Sequence, residues 1–246
     1  MDPTTIVFIA LMMGAAAALY SSVGHGGASA YLAIMALFEL APEVMRPTAL
    51  ALNLVVAGFG ALRYWRAGQT NLRLLAAFVL TAAPAAFVAG SIHIPPEYYR
   101  PLVGIVLWLA ALRLFWQPTA LAQRPLRKPS LAITLPAGAA LGLLAGLTGT
   151  GGGIFLSPLI ILFGWEDTRR TSGVVAGFIF LNSAAGLAGN FAAVRALPPE
   201  LPWFAVAVAA GALVGTWLGA GRLPKPRLLQ SLGLVLVIAG IKLLFT

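Results

Sequence analysis

Two clusters of glycine stand where backbone amides could hold an anion without any formal charge. The first is Gly24, His25, Gly26 and Gly27; the second is Gly149, Thr150, Gly151, Gly152 and Gly153, with Ser157 soon after. Each interrupts an apolar run. A glycine inside a helix costs about 1 kcal/mol relative to alanine, so clusters of this density predict intended breaks. A helix that restarts after a break offers free N–H groups and a partial positive charge of about +0.5. Glycine lets an anion approach those amides closely. The same glycines would also serve tight helix packing in a membrane.

The side chains around the breaks are mostly neutral. His25 is the ionisable residue at a break. It is a candidate anion contact and a candidate proton-coupling group, since histidine titrates near neutral pH. Equally, a neutral His25 would bond to backbone freed by the break. Asn53 and Asn182 lie inside apolar runs; they could donate to a substrate oxygen or tie helices together. Ser21, Ser22, Ser29, Thr148 and Thr150 flank the breaks, although such hydroxyls often bond to their own helix. Tyr20 and Tyr31 either wall the site or pack. All seven acidic residues, Asp2, Glu39, Glu43, Glu97, Glu166, Asp167 and Glu200, fall in loops or at segment ends. Buried acids are the usual mark of cation sites and proton relays in membranes, so the pattern argues against a cation carrier.

The elements that must position these residues are membrane helices. Hydrophobic residues make up 60% of the chain and charged residues 9%, with a mean hydropathy of +0.91. Average globular chains carry about 25% charge. Ten apolar segments are expected, over 5–23, 28–38, 48–62, 74–91 and 102–115, then 131–147, 154–163, 174–193, 203–220 and 228–245. No cleavable leader is expected, because Asp2 replaces the usual basic start. The net charge of +9 sits at segment ends, where it orients helices and meets lipid head groups; it does not indicate nucleic acid. Without cysteine, and with two histidines, neither a disulfide nor a metal site is expected, and no cofactor is implied.

The second half repeats the first. Gly24, Gly26 and Gly27 match Gly149, Gly151 and Gly152 at an offset of 125; Asn53 then matches Asn182, and Gly104 matches Gly233, at 129. Segments 28–38 and 154–163 have about half the 20 residues a full crossing needs, so they read as half-helices that return to the side they entered from. On that reading twelve of the 16 basic residues share one side, which the positive-inside rule makes cytoplasmic. The expected fold is an all-α integral membrane protein of two inverted-topology repeats. They span 1–116 and 131–246, joined by a cytoplasmic basic linker over 117–130, with both termini outside and the glycine breaks near the midplane.

Gly149, Thr150, Gly151, Gly152 and Gly153 followed by Leu156, Ser157 and Pro158, with a weaker Gly-x-Gly-Gly copy in the first half, resemble the motifs of the TauE/SafE family, also called the 4-toluene sulfonate uptake permease (TSUP) family. The resemblance covers essentially the whole chain. It implies transport of sulfite, sulfoacetate or other organosulfonates across the cytoplasmic (inner) membrane. It also implies that His25, standing where such a turn would carry a small residue, tunes selectivity. Together these features predict a secondary transporter that binds a small sulfur-containing anion at Gly24, His25, Gly26, Gly27, Asn53, Gly149, Thr150, Gly151, Gly152, Gly153, Ser157 and Asn182. Access alternates between the two sides, and the partners are that anion and membrane lipid. An anion channel, or a carrier of a small carboxylate, would use the same arrangement. An intramembrane enzyme finds no Gly-x-Ser-x-Gly or His-Glu-x-x-His here.

Overall fold

The computed structural model describes residues 2–22, 24–115, 126–191, 197–219 and 226–245. Most of the 117–130 linker, with Arg124, and the basic residues Arg195, Arg222 and Lys225 lie outside these. The described residues form ten helices and no strand: α1 Pro3–Ser21, α2 Ala28–Leu37, α3 Pro42–Arg66, α4 Leu72–Ser91, α5 Pro96–Phe115, α6 Leu131–Thr148, α7 Gly153–Phe163, α8 Thr168–Gly189, α9 Leu201–Gly219 and α10 Pro226–Phe245. Six of them, α1, α3, α4, α5, α6 and α8, are long and apolar enough to cross a bilayer. This is an all-α, multi-pass integral membrane protein. Large apolar side chains such as Leu80, Trp203 and Val206 are exposed, as a lipid-facing surface requires.

Two of the helices that begin well ahead of the apolar pattern start on proline. α3 starts at Pro42, six residues ahead of the expected segment, and holds Pro47 inside it. α5 starts at Pro96. Proline is well suited to the first helical turn, where its missing N–H has no partner to lose. Apolar content therefore understates both helices.

The short helices double back. Phe8 near the start of α1 meets Phe38 just past α2, with ring centroids 6.0 Å apart. Likewise the Arg127 N–H, ahead of α6, donates to the Gly164 carbonyl at the end of α7 at 2.7 Å. α2 is buried along its whole length from Ala28 to Ala36. That enclosure makes a broken helix tolerable at membrane depth, because lipid cannot satisfy a freed amide. Lys242 of α10 closes the far end of α2, donating to the Leu37 carbonyl at 3.1 Å and to Glu39 at 2.9 Å.

Glycine sets how the long helices pack. Gly138, Gly142 and Gly146 of α6 lie against the backbone carbonyls of Phe78, Ala82 and Ala86 of α4, so the two helices run parallel with their backbones in contact. α1 and α9 do the same, with Gly14 on Ala207 and Gly215 on Ala18. α3 and α8 instead run antiparallel: Gly60 meets Ala176, Asn53 meets Ser183, and Leu50 meets Gly186. α5 and α10 are antiparallel as well, with Gly104 on Gly240 and Phe115 on Gly233. Small residues permit this closeness, which in lipid supplies the dispersion contacts that hold helices together.

Candidate functional site

The inner glycines of the two breaks meet at one residue. Asn53 of α3 is fully buried. A methyl group on Gly26 would lie 2.5 Å from its Oδ1 and 3.1 Å from Ile179 Cγ2. A methyl group on Gly151 would lie 2.6 Å from its Nδ2, 3.0 Å from Ile179 Cγ2 and 3.3 Å from Ser183 Oγ. One amide thus stands between both breaks, with Ile179 and Ser183 of α8 completing the contact. Only glycine permits either approach.

The breaks reach this point by different backbone paths. In the second, Gly149, Gly151 and Gly152 all have positive φ, at 85°, 73° and 74°, a region that costs other residues about 1–2 kcal/mol. In the first, only Gly24 does, at 76°. The outer glycines point apart: Gly24 lies against Ser172 at the start of α8, and Gly149 against the Arg46 backbone near the start of α3. Gly27 lies under the Tyr31 ring, Gly152 near Phe178 and the Leu141 carbonyl, and Gly153 on Ile179 and Val175. Both half-helices then start without a side-chain cap, at Gly27 for α2 and Gly152 for α7. Their first amides have no partner within the helix.

The polar groups divide into satisfied and unsatisfied. Thr148 donates to the Leu144 carbonyl at 2.6 Å and shares a 2.9 Å hydrogen bond with Thr150. Ser21 and Ser22 donate to the carbonyls of Ala17 and Leu19, each at 2.6 Å. These hydroxyls are taken up by their own helix. Ser157 is buried in α7. His25 is partly buried, and its N–H donates to the Tyr20 carbonyl at 2.9 Å. In contrast, Asn53 Oδ1 and both amide atoms of Asn182 are buried without a hydrogen-bond partner among the described residues; Asn53 Nδ2 has only a 3.4 Å contact to Ser183. Asn182 stands on α8 between Ile179 and Ser183, the two α8 residues that meet Gly151. A buried polar group without a partner costs about 1–3 kcal/mol. The unpartnered asparagine atoms are two amide oxygens and one amide nitrogen, and the uncapped starts of α2 and α7 add backbone N–H donors near Asn53.

Arg46 falls ahead of the segment expected over 48–62, where a loop charge would stand. It is instead a buried residue of α3. Nη1 donates to the Ile92 carbonyl at 2.9 Å, and Nη2 to those of Ala89 at 2.5 Å and Gly90 at 2.9 Å. The arginine caps the end of α4 while its backbone borders Gly149 of the second break. Tyr99 adds α5 by donating to the Thr148 carbonyl at 3.0 Å. Ile179 and Ser183 also escaped the sequence, since neither differs in type from dozens of other helix residues. The acidic residues do sit at helix ends, although Glu166 is buried there, accepting from Asn71 at 2.6 Å.

A helical bundle whose two broken helices converge on buried amides is the build of a membrane transporter. The sequence model of the Sulfite exporter TauE/SafE family matches residues 8–243, and the chain belongs to that family of membrane transporters. It is 36% identical over 252 residues to the probable membrane transporter protein y4hK of Sinorhizobium fredii (strain NBRC 101917 / NGR234), covering 98% of this chain and 99% of that one. With the probable membrane transporter protein YjnA of Bacillus subtilis (strain 168) it shares 26% over 261 residues, again covering 98% and 99%. No solved structure matches the chain.

Proposed function

We propose that this protein carries a small sulfur-containing anion, an organosulfonate or sulfite, across the cytoplasmic membrane by alternating access. The observation that carries the reading is the Asn53 amide between Gly26 and Gly151, with Asn182 unsatisfied on the facing helix. A desolvated sulfonate needs several donors around spread charge; in this reading the uncapped amides of α2 and α7 and the Asn182 Nδ2 supply them, without trapping the anion as a fixed cation would. His25 at the first break is the candidate proton-coupling group.

The two halves, 1–116 and 131–246, act in this reading as inverted repeats that rock about the site. The antiparallel packing of counterparts α3 with α8 and α5 with α10 supports it, as does the pairing of α1 with α9 alongside α4 with α6. A parallel repeat would set counterparts in the same direction. Topology follows, with the 117–130 linker cytoplasmic. Since the chain has no cysteine, Arg127→Cys gives a single label site. It is expected to stay unmodified by an impermeant thiol reagent in intact cells and to react after lysis. Labelling from outside would reject the orientation.

Asn182→Leu tests the site. Replacing an unsatisfied buried amide by a hydrocarbon of similar size removes a cost of about 1–3 kcal/mol. The variant is expected to melt higher than wild type without ligand, and to lose the ligand-induced rise. A sulfonate at a hundred times its Kd stabilises wild type by about 2.7 kcal/mol. A thermal-shift series with sulfite, sulfoacetate, taurine and carboxylate analogues measures both. An unchanged ligand response in Asn182→Leu would move the anion away from α8.

A further inference from the structure

Three polar groups of the first break fall on apolar residues of the second. At the offset of 125 that aligns Gly24 with Gly149, Tyr20, Ser29 and Tyr31 fall on Ala145, Ile154 and Leu156. Tyr20 and Ser29 share a hydrogen bond of 2.7 Å. The Tyr31 hydroxyl is fully buried and has no partner among the described residues. Its place follows from helix geometry. Side chains of a helix lean toward its N-terminus, so a residue covers the turn before it. Tyr31 therefore lies back over Gly27, four residues earlier, and a methyl group on Gly27 would overlap its ring and hydroxyl. Glycine at the uncapped start of α2 lets the hydroxyl reach the break. Gly26, the next residue along, touches Asn53.

We propose that the Tyr31 hydroxyl is a specificity contact for a hydrogen-bonding substituent of the transported anion. The inference rests on the anion site proposed above. The acid group sits at Asn53, where both breaks converge, and the substituent turns toward α2. Neighbouring Cα atoms are about 3.8 Å apart, and Asn53 and Tyr31 border the consecutive residues Gly26 and Gly27, so the matching chain is short. A bare oxyanion has no substituent left to offer Tyr31 once its oxygens are held at Asn53. An organic anion with one hydroxyl or carbonyl group offers a partner to the buried Tyr31 hydroxyl on the α2 side, where α7 has no counterpart hydroxyl at Leu156. The substrate class is thus a short organic sulfonate bearing one such group, in preference to an inorganic sulfur oxyanion.

The test is a pair of probes differing by one hydroxyl, ethanesulfonate and 2-hydroxyethanesulfonate, titrated into the purified protein by calorimetry. Wild type is expected to bind the hydroxy compound about tenfold more tightly, the gain of one buried hydrogen bond. Tyr31→Phe is expected to bring it down to the affinity of ethanesulfonate and to leave ethanesulfonate within twofold. Phenylalanine keeps the ring and removes an atom that bonds to nothing, so folding is retained. Equal weakening of both probes would place Tyr31 on the acid group and overturn the proposal. No change in either would reduce Tyr31 to packing. Failure of wild type to bind either probe is a different result, which rejects the sulfonate site itself.

Discussion

Gly151→Ala is expected to abolish transport while leaving the protein inserted in the membrane. Two penalties combine at this position. Its φ of 73° lies in the left-handed region, which costs an alanine about 1–2 kcal/mol. The new methyl group would also lie 2.6 Å from Asn53 Nδ2 and 3.0 Å from Ile179 Cγ2. Either the break shifts or Asn53 is driven aside, and both destroy the common contact. Gly26→Ala meets the second penalty alone, at 2.5 Å from Asn53 Oδ1, with no positive φ. The two therefore respond differently to a shortened partner. Asn53→Ala should restore the melting temperature of Gly26→Ala more fully than that of Gly151→Ala, and restore transport in neither. Gly60→Ala is the control, since its methyl group meets only Ala176 Cβ at an ordinary 3.4 Å. It should retain transport and gain up to about 1 kcal/mol from helix propensity. Uptake by proteoliposomes, with size-exclusion profiles for integrity, measures all four. Transport retained in both break variants would put the site elsewhere.

Arg46→Ala is expected to cost about 3 kcal/mol of stability. The guanidinium donates to three carbonyls at the end of α4, those of Ala89 and Gly90 buried and that of Ile92 partly so. Removing it leaves the buried Gly90 carbonyl without its arginine donor and Ala89 with only the 3.3 Å bond from the Ile92 N–H. Because the Arg46 backbone also borders Gly149, the loss loosens α3, α4 and the second break together. Arg46→Lys should recover less than half of the stability. A lysine keeps the charge but lacks the planar fork that serves several carbonyls at once. Thermal unfolding in one detergent at fixed pH reads the ranking: wild type above Arg46→Lys, and Arg46→Lys above Arg46→Ala. If Arg46→Ala melts with wild type, the arginine is not a clamp. If it does so while losing transport, its charge acts on the anion directly.

The ten helices, the two breaks and the placement of the acids at segment ends were legible in the order of the residues. These follow from rules that act along the chain. A membrane helix must be apolar over its own length, and it must bond its own backbone. Glycine clusters announce the points where it does not. What the tertiary structure decided is which groups meet. Asn53 and Asn182 match in sequence, yet it is Asn53 that touches both Gly26 and Gly151. That choice depends on the register of α3 against α8, with Asn53 beside Ser183 and Leu50 beside Gly186. Register is set by small residues in contact between distant segments, and their types carry no record of partner. Arg46 escaped for a related reason. Its partners are backbone carbonyls of Ala89, Gly90 and Ile92, more than forty residues away. Every residue owns a carbonyl, so only the fold could single those out.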